Sequence, residues 1–175
     1  VVLETVATMD AEPVKLEQSL GRVLAEEVCS NRDQPPYDIS AMDGYALRSA
    51  DLANVPATLE IIEDIKAGDM PTRTLAPGQC ARIMTGAPMP QGADAVIRVE
   101  DTEAVSAEAL SPNSLPQAGE RDAVSLRENL SDRVQVNLSV KPGNDIRRLG
   151  ENMFNGEVVL NPGTEITPGV IGVLA

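Results

Sequence analysis

Pro35-Pro36-Tyr37-Asp38-Ile39-Ser40-Ala41-Met42-Asp43-Gly44-Tyr45-Ala46 decides how the rest of the chain is read. It holds both tyrosines of a 175-residue chain in which aromatics make up only 2%. Its paired prolines push the segment's start into extended or turn backbone. The residues after them show too little periodicity for an ordinary helix or strand, and Asp43-Gly44 is a dipeptide that supplies the positive φ of a tight turn. The segment therefore reads as a stiff loop that aims a carboxylate. On the dipeptide alone, Asp43 could do no more than bond its own backbone. As a fixed carboxylate it could also place a cation or a substrate group.

Outward from this loop the chain is punctuated by 13 glycines and 13 prolines, which predicts short elements rather than a helical bundle. Leu16–Leu20 reads as a helical turn closed by Gly21. Periodicity leaves Arg22–Val28 open between helix and strand, and Leu47–Leu52 reads as a single helical turn. Leu59–Ile65, Gln79–Met84 and Ala95–Glu100 are strand candidates. Val134–Val140 alternates strictly, with Gln135, Asn137 and Ser139 together on a solvated face. Glu157–Leu160 is a further strand, and Thr167-Pro168-Gly169 opens a helix with threonine as N-cap and proline at its first position. Between them, Asp101–Asp132 is a long polar connection, within which residues 102–131 are expected to be the most mobile and protease-sensitive part of the chain.

Composition narrows the chemistry. With 27 acids against 14 bases the net charge is −13, a surface that repels phosphate backbones and disfavours nucleic acid. No run approaches 18 apolar residues, so no membrane span is predicted, and the chain's start lacks a signal-peptide pattern. Cys29 and Cys80 match no metal-ligand spacing and are read as free buried thiols in a reducing compartment. Histidine is absent, which excludes a Ser-His-Asp or Cys-His arrangement within this chain. Catalysis would have to run on carboxylates, hydroxyls, Lys, Arg or a hard oxygen-bound cation such as Mg²⁺. The core must be built from Val, Ile, Leu, Ala and Met.

Three blocks carry a family resemblance. They are Ser40-Ala41-Met42-Asp43-Gly44-Tyr45-Ala46, then Arg82-Ile83-Met84-Thr85-Gly86-Ala87-Pro88-Met89-Pro90 with Gly92-Ala93-Asp94-Ala95-Val96-Ile97, then Pro142-Gly143-Asn144-Asp145-Ile146-Arg147-Arg148 running through Gly150-Glu151 to Gly156-Glu157-Val158. Together and in this order they resemble the molybdopterin molybdenumtransferase family, which includes the E domain of gephyrin. The resemblance implies a mostly β fold with a few short helices (α+β), elongated and two-lobed. Residues 1–38 would rejoin 150–175 as a discontinuous first lobe, and 39–149 would form an inserted, barrel-like β domain. Both ends look cut, so a substrate-binding C-terminal domain is expected beyond this chain.

The implied activity is insertion of molybdate into adenylylated molybdopterin, with Mg²⁺, to form the molybdenum cofactor. It implies a cytoplasmic homodimer in which this portion alone is inactive. The alternative is a non-catalytic scaffold or binding module on the same architecture. Asp43 matches the family's active-site carboxylate and is the expected catalytic residue and metal ligand. Thr85 is the second catalytic candidate, since a hydroxyl before Gly86 lets backbone approach a ligand and exposed N–H groups could cup an anion. Ser40 and Gly86 are expected at the substrate. Arg147, with Arg148, could clamp a phosphate or neutralise neighbouring carboxylates. Asn152 stands where the family usually places an aspartate, keeping an oxygen ligand and losing the charge. Asp94 reads as a structural turn acid.

Overall fold

The computed structural model describes residues 9–105 and 133–175. The expectation of a mobile connection therefore lies outside the described residues, apart from Thr102–Val105, which is a strand rather than a linker. The fold is mostly β. In chain order the strands are β1 (Val28–Cys29), β2 (Ile39–Ser40), β3 (Gly44–Leu47), β4 (Ala57–Ile65) and β5 (Gln79–Ile83). They continue with β6 (Ala95–Arg98), β7 (Thr102–Val105), β8 (Arg133–Val136), β9 (Ile146–Arg147) and β10 (Val158–Leu160), and one α-helix, α1 (Pro168–Leu174), comes last. The chain divides into two compact units, Val1–Asp33 with Asn152–Ala175, and Gln34–Glu151.

In the first unit, Leu16–Gln18 makes one 3₁₀ turn and Gly21, at φ 77°, carries the chain out of it. The next residues are extended. Gly21 N–H donates to Ile166 O at 2.9 Å, Ile166 N–H to Arg22 O at 2.8 Å and Leu24 N–H to Thr164 O at 2.9 Å. These bonds, with the Val23–Glu165 bridge, make Arg22–Leu24 extended chain, and Ala25-Glu26 bends before β1, so no helix forms there. β1 pairs antiparallel with β10, and Cys29 on β1 is exposed, not buried as expected. Its neighbour across a two-residue ladder cannot cover it. Thr167 caps α1 by accepting the Val170 N–H at 3.3 Å, with Pro168 opening the helix as the sequence predicts.

The second unit is built on a curled six-stranded sheet in the order β6-β3-β5-β4-β8-β7. Only β4 and β5 run parallel. The loop read into the opening stretch ends as strand: its last three residues, Gly44-Tyr45-Ala46, begin β3, which lies between β5 and β6 and is buried throughout. A strand covered on both faces shows no alternation, which is why the period was unreadable. Gly44 also departs from expectation, for its φ is not positive. It is required by proximity instead. A Cβ there would sit 1.9 Å from the Ile97 carbonyl oxygen of β6.

Alternation along the strands divides the core between two faces. Tyr45, Leu47, Leu59, Cys80, Ala95, Ile97, Val134 and Val136 pack with Leu52 in one cluster. Ala46, Ile65, Ala81, Ile83 and Val96 pack with Leu75 and Ala87 in the other. β4 serves both because its register slips between Ile61 and Glu63. An extra residue in a strand inverts the face of everything after it. Leu59 and Ile65 thus bury on opposite sides without leaving the sheet. Tyr45 is the only aromatic side chain in these clusters, as the composition requires. The strict alternation of Val134–Val140 ends as strand at Val136, and Leu138 beyond it is 52% exposed.

Candidate functional site

The three sequence blocks meet in the second unit, apart from the tail of the third from Asn152 to Val158, which belongs to the first. β2 pairs antiparallel with β9, setting Ile39 opposite Arg147 and Ser40 opposite Ile146. β3 pairs with β5, setting Tyr45 opposite Arg82. The link between β2 and β3 is therefore fastened by the other two blocks. Ser40 N–H donates to Ala87 O at 2.9 Å, and Gly86 N–H returns a bond to Ser40 O at 2.9 Å. Ala41 N–H donates to Asp145 O at 2.9 Å, and Val99 N–H to Asp43 O at 3.2 Å. Buried Ser40 folds the turn from within, donating its hydroxyl to Met42 O at 2.6 Å and accepting Met42 N–H at 3.3 Å. The Ser40 hydroxyl, expected at the substrate, is thus spent on stabilising the turn.

Asp43 and Thr85, 42 positions apart, are joined directly. Oδ1 of Asp43 accepts the Thr85 N–H at 2.7 Å and the Thr85 hydroxyl at 2.7 Å. Both side chains stand at the surface. The backbone N–H of Thr85, then its hydroxyl, hold the Asp43 carboxyl below the ordinary aspartate range, with a smaller contribution from the Arg82 guanidinium. Donors aimed at the ionised form favour it. Oδ2 accepts no hydrogen bond among the described residues. The site therefore presents one ionised oxygen of fixed direction.

The anion cup expected at Thr85-Gly86 does not form. Its two N–H groups are already used, one by Asp43 and one by Ser40 O. Gly86 instead serves the turn by its φ of 83°, with open space where a side chain would be. Arg148 donates to Asp38 Oδ2 at 2.5 Å, and Leu149 N–H to Asp38 Oδ1 at 2.9 Å. The Leu149 N–H, then Arg148, lower the Asp38 carboxyl. Arg147 pairs with Glu151 at 3.5 Å, both half exposed. The paired arginines thus neutralise carboxylates, and the Arg147 pair is of the weak surface kind. Asn152 is exposed and opens the returning segment of the first unit, so it does not belong to the same unit as Asp43. Asp94 takes Ser49 N–H at 2.6 Å and Ser49 Oγ at 2.8 Å, the structural role read for it.

Sequence reading missed the cleft beside this turn. Gln34, Pro35, Tyr37, Met70, Gly86 and Pro88 are among the residues around a cavity of about 300 Å³, and Tyr37, Met70 and Pro88 also line a neighbouring one of about 410 Å³ that includes Arg73. Met70 and Arg73 lie in the link between β4 and β5, where no motif marks them.

Replacing Thr85 with valine should raise the Asp43 carboxyl toward the ordinary value, because one of two donors to the ionised form is lost while the backbone N–H stays. An NMR titration of the Asp43 carboxyl carbon would check it. The sign carries to stability: a depressed carboxyl stabilises the fold above its unfolded value and loses that as pH falls through the folded one. The variant should lose less on acidification than the parent.

Comparison with known proteins identifies the family. The family model described as "MoeA N-terminal region (domain I and II)" matches residues 1–175. A molybdopterin molybdenumtransferase of Bacillus subtilis (strain 168) is 35% identical over 170 residues, covering 95% of this chain and 35% of the relative. Molybdopterin molybdenumtransferase 2 of Mycobacterium tuberculosis (strain ATCC 25618 / H37Rv) is 36% identical over a 179-residue alignment, covering 100% of this chain and 38% of the relative. The crystal structure of the molybdopterin biosynthesis moeA protein of Pyrococcus horikoshii OT3 superposes with a TM-score of 0.74 at 32% identity, covering 94% of this chain and 38% of that one. The chain spans little more than a third of the length of the curated relatives it matches. With its whole length matched by the family model, the chain belongs to the MoeA N-terminal region family.

Proposed function

We propose that this chain is the part of a molybdenumtransferase that presents Asp43 and Thr85 to a shared active site, where molybdate is inserted into adenylylated molybdopterin. The observation that carries the reading is the Asp43–Thr85 contact, 2.7 Å from both the N–H and the hydroxyl of Thr85. A carboxylate fastened on one oxygen and open on the other is oriented before a ligand arrives, which removes reorganisation from the reaction. The names of the relatives supply the substrate class.

No group of three or more potential metal ligands gathers among the described residues. The donor chemistry suits Mg²⁺ only as a cation shared with substrate oxygens and waters, to which Asp43 Oδ2 adds one hard ligand. When bound, the ion would screen the charge of phosphate and oxyanion oxygens. The chain's own residues do the rest: Thr85 fixes the carboxylate, Ser40 and Gly86 hold the loop that carries it, and Arg147 can exchange its exposed carboxylate for a ligand oxyanion. Asn152 would contribute an uncharged oxygen. The remaining contacts to the nucleotide-like substrate would come from a further domain, in a cytoplasmic homodimer.

The test is AMP release with Mg²⁺ and molybdate present. Residues 1–175 alone are expected to release none from adenylylated molybdopterin, because one carboxylate and one hydroxyl cannot retain a pterin, a pyrophosphate and an oxyanion together. A full-length enzyme carrying this region should release it in a Mg²⁺-dependent way. Release by residues 1–175 would show the site to be wholly contained here.

A further inference from the structure

Among the described residues, Asp145 is the one non-glycine residue with positive φ, at 49°. Glycine would take that backbone with less strain, and asparagine or aspartate are the side chains that best tolerate it. Glycine already stands at Gly143, two residues earlier. An aspartate at the strained position implies work for its carboxylate. That carboxylate is four-fifths buried and receives Arg98 Nε at 3.1 Å and Arg98 Nη2 at 3.4 Å. Asn144 Nδ2 reaches it at 3.2 Å and also donates to Val96 O at 2.9 Å, while Val96 N–H donates to Asn144 O at 3.0 Å.

These bonds tie one short segment to the end of β6, and the two together reach the turn at Ala41 and at Asp43. Arg98 is the register neighbour of Gly44. Val99 holds the Asp43 carbonyl, and Asp145 holds the Ala41 N–H. The turn residues Ala41 and Asp43 are thus fixed at the backbone by two groups that are themselves joined through the Arg98–Asp145 pair. Thr85 fixes the same turn from the opposite side, through the Asp43 side chain.

We propose that Arg98 and Asp145 are positioning residues for the reaction, forming a bidentate brace that sets the backbone of the Ala41–Asp43 turn so that the Asp43 carboxylate meets Thr85. The inference rests on the reading of Asp43 as a reacting-site group. The brace touches no substrate. It acts through the turn, and a misplacement of about 1 Å at a reacting group can cost up to about 10²-fold in rate.

The test uses the full-length enzyme with Asp145→Gly, which relieves the backbone while removing the carboxylate, and Arg98→Gln, which removes the same pair from the other side. Two readouts are needed: kcat separated from KM, and amide hydrogen exchange at Thr85 compared with Ala46 and Ile83 in the β3–β5 ladder. In both variants kcat should fall about tenfold with KM little changed, as expected for lost orientation. Thr85 should lose protection by about tenfold while the ladder amides keep theirs. Asp145→Asn, which tolerates the backbone and still offers an oxygen to Arg98, should restore most of both. Unchanged protection at Thr85, or an equal loss at Thr85 and in the ladder, would overturn the brace. Selective loss at Thr85 with kcat unchanged would instead overturn the use of Asp43 in the reaction.

Discussion

Gly44→Ala is expected to destabilise the Gln34–Glu151 unit by at least about 3 kcal/mol, at the upper end of what overpacking costs. The added methyl would stand 1.9 Å from the Ile97 carbonyl oxygen and 2.9 Å from its carbon. Those atoms are backbone, so no rotamer change relieves the clash. β3 and β6 would have to separate, and with them the Gly44–Arg98 and Tyr45–Ile97 register. Thermal or urea unfolding would show a transition lowered by roughly 10 °C or more, or a chain that fails to fold. Gly78→Ala is the control. Gly78 has a φ of 77° and nothing within 4 Å of the new Cβ, so only the left-handed backbone is charged, about 1 kcal/mol. Equal losses in the two variants would contradict the proximity argument.

Asp43→Asn in the full-length enzyme is the second large effect: cofactor synthesis should fall by at least about 10²-fold. Asparagine keeps the shape and an oxygen that can accept from Thr85, so unfolding should scarcely move. What it loses is the charge on the open oxygen. No histidine in the chain can replace it, and the described residues gather no other group of potential ligands. Near-parental activity at saturating Mg²⁺ would remove Asp43 from the mechanism.

The strands β4, β5 and β6 were legible because each carries several apolar residues between turn signals, and α1 because Thr167 and Pro168 announce its first turn. The opening stretch was legible as a motif and misread as backbone. Its last residues, 44–46, are buried in β3, a circumstance imposed by β5 and β6 and invisible in a window of local sequence. Likewise Gly44 invites the inference of positive φ, the commonest use of glycine after aspartate, while its actual reason is a carbonyl oxygen 53 residues further along the chain.

The site divides in the same way. The sequence by itself narrowed the candidates: a histidine-free, acidic chain leaves carboxylates and hydroxyls, and the three blocks single out Asp43 and Thr85. Only the tertiary structure decided how they are placed. It closed the distance between Asp43 and Thr85, consumed the two N–H groups that looked ready for an anion, and gave Arg147 and Arg148 to Glu151 and Asp38. It also put Asp145 under the turn and tied it to Arg98. Side-chain type is local and can be read in order, but a hydrogen-bond donor has a finite number of protons. Where each one goes depends on which strands the fold brings within about 3 Å.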